Sequence, residues 1–155
     1  MKKLLIIFLL LFLILPAMGE YIPIEKSKSR EYKKEIIESI NSQIPIRKKE
    51  ILNVFNEVEK EQDPYEKNLI IEYGVDGVLF DFYNELIDIT EKYTGKDNVS
   101  KNAIEGDSSG LLFEVLIPYL KDNRINTSKI LLFIKFAQKE QKKLEKKFNY
   151  PITIH

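Results

Sequence analysis

The sequence predicts an all-α fold, a compact bundle of about five helices that follows a cleaved N-terminal signal peptide. Three observations carry that expectation. Apolar residues recur every three or four positions through most of the chain, the period that gathers them on one face of a helix. Strand-like alternation is confined to the last six residues, Tyr150 to His155, a stretch too short to stand alone. The connections between the helical stripes are mostly short, as in a bundle of neighbouring helices.

The first element is the export signal. Lys2 and Lys3 form a positive start, Leu4 to Leu15 is an unbroken run of twelve apolar residues, and Pro16 ends it just before Ala17-Met18-Gly19. Small residues at Ala17 and Gly19 fit a signal-peptidase site, and the run falls short of the roughly 20 residues that span a bilayer. Residues 1–19 are therefore expected to be removed, leaving 20–155 as a single helical domain with no stable membrane anchor. The lysine pair and leucine-isoleucine block are bacterial in style, so export means the periplasm or the extracellular space.

Helical stripes then follow in order. Ile36, Ile37, Ile40 and Ile44 define a helix from Ser29 to Gln43, which Pro45 is expected to stop. Ile51, Leu52, Phe55 and Val58 define a second, ending at Gln62. Asp63, Pro64 and Glu66 are the strongest local signal: an N-cap acceptor, a proline where no N–H is needed, and an acid three residues after the cap. A long third helix should start there, bury Val75, Leu79, Phe82, Leu86, Ile89 and Tyr93, and end at Gly95. Gly74 and Gly77 weaken its first half, and a break or kink near Gly74 is expected. A polar loop spans Gly95 to Gly110. The fourth helix begins at Ser108 or Ser109 and runs to Leu120, bent or ended by Pro118. The fifth is capped by Thr127 or Ser128 and buries Ile130, Phe133, Ile134, Ala137, Leu144 and Phe148, with Gln141 as the polar member of the seam.

Composition removes more chemistry than it offers. The chain has no cysteine and a single histidine, His155 at its end, so disulfide frameworks, nucleophile–histidine triads and histidine zinc sites have no residues to build them. Of 24 basic residues Lys2 and Lys3 leave with the signal, against 24 acids that stay, a balance without the basic excess of a nucleic-acid binder. No cofactor and no metal are expected.

Two groups of residues remain as candidates. Glu72 and Asp76 lie four apart at the edge of the third helix's apolar stripe. Carboxylates beside an apolar surface are what glycoside hydrolysis or divalent-metal binding needs, because desolvation raises one pKa while the other stays ionised. The plainer reading is a solvated pair, or one matched to lysines of another helix. Asp81, Glu85 and Asp88 fall on the far side of the stripe and read as solvent-facing charges. The second group lies in the polar loop: Lys96, Asp97, Asn98, Lys101, Asn102 and Asp107. The spacing fails as an EF-hand, since Val99 and Lys101 would occupy the third and fifth ligand positions. The loop is instead a candidate binding segment, because loops of that length between bundle helices are generally functional or disordered.

Charge is unevenly spread. From Glu57 to Thr94 there are eleven acids against three lysines, and from Thr127 to His155 seven lysines against two acids. Fields of opposite sign hold two helices together or present two polar faces to a partner. A lipid-binding role for the basic helix is disfavoured because Glu140 and Glu145 interrupt the run. No motif is specific enough to name a family. The function expected from these observations is that of an exported non-enzymatic protein acting through protein–protein contact, such as a cell-envelope immunity or inhibitor protein. The alternatives are a glycan-directed hydrolase using Glu72 and Asp76, and a structural or assembly subunit of an envelope complex.

Overall fold

The structure, a computed structural model, describes residues 23–95 and 116–150. The described residues form four helices and no strand: α1 (Ser29–Lys60), α2 (Pro64–Thr94), α3 (Ile117–Asp122) and α4 (Ser128–Lys147). The expected signal peptide, the polar loop beyond Gly95, the start of the fourth predicted helix and the end of the chain after Tyr150 lie outside the described residues.

The count is lower than five because the first two predicted helices are one. Pro45 sits inside α1 rather than ending it. Its missing N–H costs a single bond, to the carbonyl of Asn41, and both residues are exposed, so water can serve the orphaned oxygen. The apolar stripe meanwhile runs straight through, with Ile36 and Ile40 buried before the proline and Ile51, Val54 and Val58 after it. Burial along the whole length outweighs one local breaker.

α2 begins as the local signal dictates. Asp63 accepts hydrogen bonds from the backbone N–H of Tyr65 (2.8 Å) and Glu66 (3.0 Å), with Pro64 in the first turn. Gly95, at φ 97°, closes the other end. The expected break at Gly74 does not occur, and the glycine has a different use: a Cβ there would lie 2.7 Å from Cγ1 of Val54 on α1. Gly74 thus lets α2 pack directly against Val54 of α1. A Cβ on Gly77 would meet nothing within 4 Å.

α3 and α4 end in the same motif. Ile125 N–H bonds to the Leu120 carbonyl at 2.9 Å and Arg124 N–H to Lys121 at 2.8 Å, with Arg124 in the left-handed region at φ 58°. At the end of α4 the bonds run from Tyr150 to Glu145 (3.0 Å) and from Asn149 to Lys146 (3.5 Å), with Asn149 at φ 49°. This is the Schellman closure, which folds the following residue back onto the helix; Ile125 and Leu120 are both buried, as the motif favours. α4 starts where expected, although the Thr127 side chain makes no cap bond. Asn126 Oδ1 accepts from Ser128 N–H instead, at 2.9 Å.

The three long helices pack side by side. α4 runs antiparallel to α2, since Phe133 meets Phe82 edge-on at 5.0 Å while Gln141, eight residues further, donates to the Ile71 carbonyl at 2.8 Å. The main core joins Tyr32, Ile36 and Ile40 of α1, Phe82 and Leu86 of α2, Leu120 of α3, and Ile130 and Phe133 of α4. A smaller cluster of Val54, Val58, Ile71 and Leu144 closes the α1–α2 turn.

Candidate functional site

The two expected carboxylates stand open to solvent. Glu72 and Asp76 are both exposed, and Glu72 Oε2 accepts a hydrogen bond from Tyr150 Oη at 2.8 Å. That bond ties the end of α4 to α2. Glu72 also holds the phenols of Tyr150 and Tyr73 above their usual range, because a hydrogen bond to a carboxylate favours the protonated phenol. Asp76 lies on the rim of an open groove of about 300 Å³ between α2 and α4, lined by Val75, Leu79, Ala137, Gln138, Gln141, Lys142 and Glu145. The second candidate group, Lys96, Asp97, Asn98, Lys101, Asn102 and Asp107, lies outside the described residues.

Asp81 and Glu85 differ from the sequence reading, for they are turned toward α1. Ser39 Oγ donates to Glu85 at 3.0 Å, and Arg47 reaches Glu50 (2.9 Å), Asp81 (3.7 Å) and Glu85 (4.0 Å). Arg47 follows Pro45 and reads as linker while the helix is thought to stop. In a continuous α1 it points into the seam with α2. Further along that seam Lys92 and Tyr93 both donate to Glu35, at 2.9 and 2.6 Å, and lower its carboxyl pKa. Tyr32 Oη shares a hydrogen bond with Thr90 Oγ1 at 3.1 Å in the core.

The outward sides of α2 and α4 are built differently. Each helix engages its minority charge with other groups of the chain. The only basic residues of α2 are Lys67, whose ammonium lies 5.7 Å from the Phe148 ring, and Lys92, which pairs with Glu35. The two acids of α4 are Glu140, 5 % exposed and paired with Lys143 at 2.6 Å, and Glu145, half-buried and bonded to Gln141 at 2.9 Å. Outside, α2 shows Glu66, Asp76 and Asp88, whereas α4 shows Lys135, Lys139, Lys142 and Lys146, with no carboxylate at ion-pair distance among the described residues. The acids that break the basic run in sequence thus do not break it on the surface.

Large apolar side chains add to the outer side of α2: Tyr65, Tyr73 and Phe80 are 69, 57 and 50 % exposed. Their spacing of eight and seven residues sets them in one row along the helix. Gly77 lies in the interval between Tyr73 and Phe80 and leaves it open. Sequence periodicity alone misses this row, because it marks only the stripe that is buried.

No group of three or more potential metal ligands occurs among the described residues, and no described helix is long and apolar enough to cross a membrane. Comparison with known protein families, with characterised proteins and with solved structures finds no match to this chain.

Proposed function

We propose that this chain is an exported, non-enzymatic helical protein that works by protein–protein contact, in the manner of a cell-envelope immunity or inhibitor protein, and that the outer side of α2 is its contact surface. The observation that carries this reading is the row of Tyr65, Tyr73 and Phe80, held exposed on a helix whose other side is committed to the core. Aromatic side chains lose little conformational entropy on contact and bury large areas, which is why they dominate interface energetics. The acids beside them give the surface a sign and select a partner with a basic face.

The test is capture from an envelope fraction with the chain from Glu20 onward, compared with Tyr73→Ala and Phe80→Ala. A specific protein retained by the parent and about tenfold less by either variant is the expected result. Equal retention by all three, or no specific retention, would sink the assignment of this face.

A further inference from the structure

We infer that the outer face of α4 is a reversible docking surface for an anionic phospholipid membrane. It lies on a different side of the molecule from the aromatic row of α2 and stands whether or not that row binds a protein. Every exposed charged residue of α4 is a lysine. Leu132, Lys139 and Lys146, each seven residues from the next, form one line opposite the buried Ile130, Phe133, Ala137 and Leu144. Lys135 and Lys142 flank that line on one side and Lys143 on the other. Glu140 is 5 % exposed and paired with Lys143, and Glu145 is half-buried and bonded to Gln141. The two acids that interrupt the basic run in sequence therefore stay off the face that a bilayer would touch.

Leu132 points to lipid rather than to another polyanion. It is 65 % exposed in the middle of the lysine field, where a phosphate backbone offers it nothing apolar. At a bilayer it enters the headgroup region, while the lysine stems lie along the surface and their ammonium groups meet phosphates. The face has no arginine and no exposed aromatic ring, the side chains that protein and single-stranded nucleic-acid interfaces favour, and lysine is depleted from protein interfaces. On the α1 flank Lys48, exposed and 5.2 Å from the Phe136 ring, adds a further positive charge. Acids stand at the margins: Glu59 pairs with Lys147, and Asp76 lines one groove with Lys142. Lys135, Lys139 and Lys146 remain as the centre of the field. A net charge near zero is no obstacle, because the outward acids of α2 stand more than one helix width, about 10 Å, from docked lipid, the screening length at about 0.1 M salt.

The test uses the chain beginning at Glu20, which contains every described residue and leaves out the apolar run Leu4 to Leu15. It is floated with vesicles of equal parts phosphatidylglycerol and phosphatidylcholine and with vesicles of phosphatidylcholine alone, and circular dichroism verifies that each variant is folded. Binding to the mixed vesicles only, falling steeply with added salt, is the expected result. One lysine near such a surface changes partition about fivefold, so Lys139→Gln should lose about fivefold and Lys139→Gln with Lys146→Gln about 25-fold, with a shallower salt dependence. Leu132→Ala should lose at least about threefold and leave the salt dependence unchanged. Lys49→Gln, exposed on α1 and turned about 100° from Lys48, and Tyr73→Ala on α2 should bind as the parent does. No partition into the mixed vesicles overturns the proposal, as does equal loss from Lys49→Gln and Lys139→Gln, or an unchanged Leu132→Ala. Duplex DNA or an acidic protein that holds the chain more tightly than the vesicles, through the same lysines, also overturns it. A chain that captures an envelope protein through Tyr73 and Phe80 but ignores the vesicles loses the lipid face and keeps the contact surface. Vesicle binding as stated, with protein retained equally by Tyr73→Ala, Phe80→Ala and the parent, keeps the lipid face alone.

Discussion

On the side of α2 that meets α1, polar residues are consumed by the fold: Thr90 shares a hydrogen bond with Tyr32, Glu85 accepts from Ser39, and Asp81 and Glu85 share Arg47. On the side that faces away, Tyr73 and Phe80 are 57 and 50 % exposed, and a Cβ on Gly77 would meet nothing within 4 Å. The same helix therefore carries charges tied into the fold and aromatic side chains that stand exposed. Composition cannot separate the two uses, since acids and rings occur on both sides. What separates them is whether another of the described helices lies opposite.

The sharpest break should come from the buried side. Phe133 is fully buried edge-on to Phe82, and Phe133→Ala should cost about 3–5 kcal/mol, as large-to-small core substitutions do, read as a fall in the urea midpoint. The two glycines refine the contrast. Gly74→Ala drives a methyl to 2.7 Å from a stiff β-branched side chain and should lose about 1–3 kcal/mol, whereas Gly77→Ala should gain up to about 1 kcal/mol from helix propensity. Stabilisation by both would show that the helices are not in close contact at Gly74.

A pH series probes the buried phenols. Burial pushes the Tyr32, Tyr83 and Tyr119 hydroxyls up, that of Tyr119 to about 12. A raised folded pKa contributes stability that is complete below the unfolded value and is lost as pH rises through the folded one. The midpoint should accordingly fall above about pH 10, less steeply in Tyr32→Phe, which should also be about 1 kcal/mol weaker at neutral pH for want of the Thr90 bond. An unchanged slope would show that Tyr32 is not protected from ionising. Smallest of all, Lys139→Ala on the open side of α4 should change stability by less than about 0.5 kcal/mol.

Local chemistry was legible and tertiary placement was not. Asp63-Pro64 announced the start of α2, and the spacing of Val75, Phe82 and Leu86 announced its buried seam. Pro45 misled because a breaker is a local rule, while the stripe from Ile36 to Val58 is satisfied only by the whole bundle. Arg47 was obscured with it, since its role exists only in a continuous α1. Gly74 read as a weak point because the reason for it, Val54, lies on another helix. Arg124 gave no signal at all, for its left-handed turn uses a residue that does not advertise one. Of the candidate surface, the segregation of charge was visible in segment totals. The inward turn of Glu140 and Glu145, which makes the lysine row continuous, required their neighbours.

The division of α2 into a side that builds the fold and a side that stands exposed is tested most directly by two residues of the same kind. Phe82 is fully buried and Phe80, two positions earlier, is half exposed. Equilibrium unfolding of Phe82→Ala and Phe80→Ala in dilute solution should give a loss of about 3–5 kcal/mol for the first and less than about 1 kcal/mol for the second. Equal losses, or the larger loss at Phe80, would contradict the division.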